Sequence, residues 1–170
     1  MPVEPFKVHI LGCGSALPTL RHYASSQVVE VRDKLLMLDC SEGTQMQLRK
    51  SRARFTKLSH VFITHIHGDH CFGLIGMIST FGLLGRTARL HVHAPKDLGP
   101  ELERQIQFFT HDLGFEVVFY PVDTGLGCEN QIFFFFKFYF YVFSYITYNI
   151  FYYCHFFFVI YKNPSYVFIN

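Results

Sequence analysis

The chain has 170 residues, half of them hydrophobic and 16% charged, with a formal net charge of +2. That length and apolar share suit a domain with a real hydrophobic core. Lys137 and Lys162, near the carboxyl end, supply the excess charge, and before Gln131 acidic and basic side chains cancel, so global charge argues neither for nor against a nucleic-acid partner.

In chain order, Val8 to Leu11 reads as a short apolar strand broken by Gly12-Cys13-Gly14-Ser15. Gln27 to Val31 and Leu35 to Asp39 read as a hairpin turning at Arg32-Asp33-Lys34. Thr44 to Gln47 fits a capping box, which starts a helix running through Leu48 toward Ala53. His60 to Thr64 is a strand entering a histidine cluster, after which Leu74, Ile75, Ile78 and Phe81 recur at helical spacing, with Gly82 and Gly85 as the stop. Arg89 to His93 is a further strand, a helix follows from about Pro100 to Thr110, and Phe115 to Tyr120 is the last strand. Strands come first, and then strand and helix alternate. The expected fold class is therefore α/β, a mixed sheet with helices laid on it.

The composition changes near residue 131. From Ile132 to Asn170 there is no Leu, Ala, Gly, Asp, Glu, Arg, Met or Gln, and most of the chain's 10 tyrosines fall there. Phe, Tyr, Ile, Asn and Lys share A- and T-rich codons, so residues 126–170 read as an atypical tail translated from a non-coding or frame-shifted region, and residues 1–125 as the domain proper. The competing reading is a membrane span over Phe138 to Tyr161, which is long enough but rich in Tyr and devoid of Leu. A membrane partner is accordingly not expected. The five cysteines, Cys13, Cys40, Cys71, Cys128 and Cys154, form no CxxC pair, and the first residues given lack the basic-then-apolar pattern expected of a secretory signal. Reduced thiols and a cytoplasmic location are the expectation.

The chemistry is concentrated in His65-Ile66-His67-Gly68-Asp69-His70. In extended backbone, residues two apart point the same way, so His65 and His67 can offer two imidazoles to one metal ion. As the chain turns into a helix, Asp69 and His70 swing toward a second position, and Gly68 relieves the bend. Imidazole nitrogen with carboxylate oxygen suits zinc, with manganese or iron as substitutes. The bland alternative is a histidine-rich loop with ordinary polar roles, but a strand-to-helix loop is where α/β folds place ligands.

The pattern His65-x-His67-x-Asp69-His70 resembles the signature of the metallo-β-lactamase superfamily. Its flanks resemble the ribonuclease Z family: His9 to Thr19 (HILGCGSALPT), Asp39 to Gln45 (DCSEGTQ) and Gly73-Leu74. The resemblance covers about residues 6 to 124. It implies the amino-terminal half of an αββα sandwich and a zinc phosphodiesterase that removes the 3′ trailer from precursor tRNA, leaving a 3′-hydroxyl. It implies two Zn2+ per subunit in the intact fold, with His65 and His67 on the first and Asp69 and His70 on the second. Asp69 would also act catalytically in proton transfer, Asp39 would orient a ligand histidine, and the intact protein would be a homodimer. The family completes its two sites with a histidine, an aspartate and a further histidine from its second half. After Tyr120 only Asp123, Glu129 and His155 are candidates, and their flanks do not match. The expectation is a fragment with weak zinc binding, little or no nuclease activity, an open sheet face and poor solubility. The alternatives are another hydrolase of the superfamily, acting on a thioester or a cyclic nucleotide, or a non-catalytic remnant.

Weaker signals are read blandly. Arg49, Lys50, Arg52, Arg54 and Lys57 could meet tRNA phosphates, but a solvated face is the reading preferred. Gly12 to Ser15 lacks the residues of a phosphate loop and is read as a turn. His91 and His93 are read as ordinary strand residues, and nothing singles out His22, His60 or His111.

Overall fold

The computed structural model describes residues 6–122, apart from 18, 32, 33 and 111. The expected tail of residues 126–170, the tip of the hairpin, Asp123, Glu129, His155, Cys128 and Cys154 lie outside the described residues.

Six strands form one sheet in sequence order: β1 (Phe6–Gly12), β2 (Ser26–Val31), β3 (Lys34–Leu38), β4 (Leu58–Phe62), β5 (Leu90–Pro95) and β6 (Val117–Val122). The first two pairings are antiparallel and the last three parallel. A parallel step needs a crossover, and helices supply each one: α1 (Thr44–Lys50) before β4, the short α2 (Gly68–Cys71) with α3 (Gly73–Leu83) before β5, and α4 (Leu98–Phe109) before β6. This is the mixed α/β sheet that the element order predicts.

Because side chains alternate across a strand, register sorts the sheet into two faces. One row runs Val28, Met37, Val61, Val92 and Phe119 across five strands. Its first four residues belong to the buried core cluster, against which Phe119 packs partly buried, together with Leu48 of α1, Met77, Ile78 and Phe81 of α3, and Leu102 of α4. Burying each of these side chains contributes about 1.5–3 kcal/mol, so this face holds the helices to the sheet. The opposite face carries Leu36, His60 and His91 in one row and Leu38, Phe62, His93 and Tyr120 in the next.

Local boundaries depart from expectation for physical reasons. The capping box does not form: Gly43, with φ +76°, precedes α1, and Thr44 lies inside the helix with its hydroxyl 2.6 Å from Ser26 Oγ. A buried hydroxyl takes the tertiary partner over the local one. α3 runs through Gly82 to Leu83, and Gly85, whose φ of +72° suits glycine, follows the Leu84 cap. α4 begins at Leu98, two residues before Pro100, and β4 begins at Leu58 and stops before Thr64. Among the described residues no helix is long and apolar enough to cross a membrane.

Candidate metal centre

The site forms where β3 and β4 both end. Asp39 leaves β3 with a left-handed φ of +57°, a conformation tolerated by aspartate more than by most residues. Its N–H donates to the Phe62 carbonyl at 2.8 Å, which binds the two strand ends together. The next peptide continues the join, since Cys40 N donates to His70 O at 2.8 Å and Gly73 N to Cys40 O at 2.9 Å. A Cβ on residue 73 would lie 1.8 Å from the Ser41 carbonyl oxygen, so only glycine lets α3 start this close to the Asp39 loop. Gly68 also finds a contact reason: a Cβ there would meet the Phe72 ring at 2.3 Å, and its φ is not in the left-handed region. That replaces the tight bend expected from sequence.

The predicted side chains come together. The His65 ring lies 4.8 Å from that of His67, edge-on at 80°, and 3.9 Å from that of His70, centroid to centroid. His70 Nε2 is 3.4 Å from Asp69 Oδ2, and its other nitrogen, Nδ1, is 2.7 Å from Asp39 Oδ2. Asp39 is 3% exposed and is met from four sides: by His70, by the N–H and hydroxyl of Thr64 at 2.8 Å each, and by Ser25 Oγ at 3.4 Å. Asp69 reaches across to the loop after β1, where its Oδ2 accepts the Ala16 N–H at 2.7 Å.

Electrostatics follow this geometry. Burial lowers the pKa of His65, and the neighbouring His70 adds to that. Burial acts the same way on His70, but the hydrogen bond and charge of Asp39 outweigh it and raise the pKa. For Asp69, burial works upward, and the Ala16 N–H with His70 carries the pKa below the ordinary carboxylate value. Burial pushes the Cys71 thiol up to about 11 and raises Cys40 further, so neither is a ready thiolate. Cys13, Cys40 and Cys71 are free thiols.

Imidazole and carboxylate donors meeting at a strand end fit a borderline divalent cation in chemical type. They do so as a partial set: among the described residues no three His, Cys, Asp or Glu side chains stand as a complete metal-holding group. Two partners of the cluster had no signal in the sequence reading. Ala16 lies 53 residues from Asp69, and Thr64 is a hydroxyl in an apolar strand end.

Three other histidines, His60, His91 and His93, form a second cluster, on the sheet face away from the helices. His60 Nδ1 is 3.1 Å from His93 Nε2, the His60 and His91 rings stack at 4.6 Å, and His91 Nδ1 is 3.1 Å from the Tyr120 hydroxyl. Parallel pairing of β4 with β5 puts His60 beside His91 and Phe62 beside His93. His93 is 2% exposed, so it and His60 are paired ring residues of this face. The five basic side chains Arg49, Lys50, Arg52, Arg54 and Lys57 are all exposed, with Lys50 Nζ 5.8 Å over the Tyr23 ring.

Residues 6–108 match a family model described as Anti-Pycsar protein Apyc1. The chain is 64% identical over 122 residues to a ribonuclease Z of Bacteroides fragilis and 60% identical over 123 residues to that of Phocaeicola vulgatus, in each case across 72% of the chain and 40% of the relative. The chain thus spans about 40% of the length of these curated relatives. Among solved structures, human tRNase Z, short form, is similar with a TM-score of 0.63 and 34% identity over 67% of this chain and 44% of that one. The metallo-β-lactamase fold protein YhfI of Bacillus subtilis shares the fold with a TM-score of 0.53 at 23% identity, over 69% of this chain and 46% of that one.

Proposed function

We propose, from the premise that this chain belongs to the family described as Anti-Pycsar protein Apyc1 and to the ribonuclease Z side of the metallo-β-lactamase superfamily, that it carries the first part of a tRNA-processing endoribonuclease site. Residues 1–125 form the domain that bears it. The substrate is precursor tRNA, cut at a phosphodiester so that the 3′ trailer leaves and a tRNA 3′-hydroxyl remains.

The observation that carries this reading is the junction at the ends of β3 and β4, where His65, His67, Asp69 and His70 meet and Asp39 holds His70 at 2.7 Å. His65 and His67 would hold one zinc ion, and Asp69 with His70 a second. Held there, the metal would supply Lewis-acid stabilisation of charge developing on the phosphoryl oxygens. The protein's own part is orientation and proton handling. Asp39 fixes the His70 ring through Nδ1, so that Nε2 faces Asp69. Asp69, whose Oδ2 accepts the Ala16 N–H, would take and return a proton during cleavage.

With four donors, this chain alone should bind zinc weakly and cut slowly or not at all, since zinc sites commonly take three or four protein ligands per ion. The rest of the reading, a homodimer acting in the cytoplasm, concerns the intact fold. A second reading, another hydrolase of the same superfamily, is favoured by the family model, whose description is not that of a ribonuclease.

A chimera tests the proposal. Residues 6–122 replace the corresponding part of the Bacteroides fragilis ribonuclease Z, and a precursor tRNA with a labelled 3′ trailer is offered with Zn2+. Release of the trailer at a rate near that of the parent enzyme is expected. A folded, zinc-loaded chimera that leaves the RNA intact overturns the proposal.

A further inference from the structure

Thr64 is buried, 3% exposed, at the centre of the cluster, and its hydroxyl has three neighbours: Asp39 Oδ1 at 2.8 Å, His65 Nδ1 at 3.0 Å and His70 Nδ1 at 3.4 Å. A hydroxyl has one proton to donate. A carboxylate oxygen has none and can only accept, so at 2.8 Å the Thr64 proton must point to Asp39 Oδ1. The Thr64 oxygen is then an acceptor toward everything else it meets. The nitrogen that faces it at 3.0 Å, His65 Nδ1, must therefore carry a proton. In a neutral imidazole that places the lone pair on Nε2. The same reasoning applies to His70, whose Nδ1 lies 2.7 Å from the other Asp39 oxygen and must donate to it.

We propose that Thr64 is a positioning residue that relays the polarity of Asp39 to His65, setting the Nδ1–H tautomer and leaving Nε2 as the nitrogen with which His65 would bind a cation. One carboxylate thus orders two imidazoles, His70 directly and His65 through a hydroxyl. The part concerning the cation rests on the metal reading above; the tautomer does not.

The test separates the two. The full chain is labelled with 15N at histidine, freed of metal with chelator, and the ring nitrogens of His65 are read by long-range 1H–15N correlation at pH 8. The expected result is a protonated Nδ1 and an unprotonated Nε2 at His65. Thr64→Ser keeps the hydroxyl and should keep that pattern, whereas Thr64→Val removes the acceptor and should shift His65 toward the Nε2–H form. Titration with Zn2+ alone should show affinity reduced about 10- to 100-fold in Thr64→Val and near wild type in Thr64→Ser. An Nε2–H tautomer in the unmodified chain, or the same tautomer in Thr64→Val as in wild type, overturns the proposal. If Thr64→Val does not fold, the unmodified chain and Thr64→Ser still decide, because a changed tautomer in either contradicts the relay. A chain with the expected tautomer that takes up no Zn2+ supports the relay and contradicts the metal reading.

Discussion

The molecule carries two histidine clusters, and their surroundings drive them in opposite directions. At the strand ends, His70 sits between Asp39 and Asp69, and its pKa is raised despite burial. On the outer sheet face, burial drives His60 down to about 3 and His93 to about 4, with His91 pushing both the same way and Lys34 adding to the effect on His60. Burial is common to both clusters. At the strand ends, a carboxylate within hydrogen-bond distance of His70 outweighs burial, whereas on the outer face the effects of burial and of neighbouring rings prevail.

The largest effect expected from disturbing this contrast is at Asp39. Asp39→Ala leaves the buried Thr64 N–H and hydroxyl and His70 Nδ1 without their acceptor. A loss of about 3 kcal/mol in unfolding free energy by urea denaturation is expected, in line with breaking a buried hydrogen-bonded pair. An unchanged midpoint would mean that the carboxylate does not organise the strand ends.

Next in size is a pH effect at the other cluster. His60 and His93 have folded pKa values below the unfolded value of about 6.5, so the unfolded chain binds more protons as pH falls. Their contribution is complete above about pH 6.5 and is lost as pH drops toward 4 and 3. His93 is buried and His60 is partly reached by solvent, and the joint loss expected is on the order of 2 kcal/mol. Urea midpoints at pH 7.5, 5.5 and 4.5 should fall in that order, and the double variant His60→Gln with His93→Gln should flatten the slope. An equal slope in the variant would assign the acid sensitivity elsewhere.

The smallest effect concerns the exposed basic stretch, which belongs to neither cluster. Arg52→Glu with Arg54→Glu in the chimera should change precursor-tRNA affinity by less than about twofold across a salt series, as for a solvated face. A weakened affinity with a shallower salt slope would make the stretch an RNA contact.

Much of this architecture was legible in the residues. Apolar runs marked each strand of the described residues, helical spacing marked α3, and Pro100 as a first-turn residue marked α4, because those patterns are what a sheet face, a helix stripe and a helix start require. The run from His65 to His70 marked the candidate site because it concentrates possible donors in six positions, and these side chains do come together. The rest depended on distance along the chain. The Ala16 N–H that holds Asp69 comes from 53 residues away, and the hydroxyl of Thr44 is captured by Ser26 rather than closing a local cap. The pairing of His60 with His93 follows from the parallel register of β4 and β5, which periodicity in either strand alone does not reveal.

The most direct measurement is zinc content together with trailer release, in the chimera and in its variant carrying His67→Ala and Asp69→Ala. Four convergent donors predict that the variant, still folded, loses bound zinc and at least a thousandfold of cleavage rate, about 4 kcal/mol of transition-state stabilisation. Equal metal content and equal cleavage in the two proteins would contradict the assignment of this strand-end cluster as the metal site.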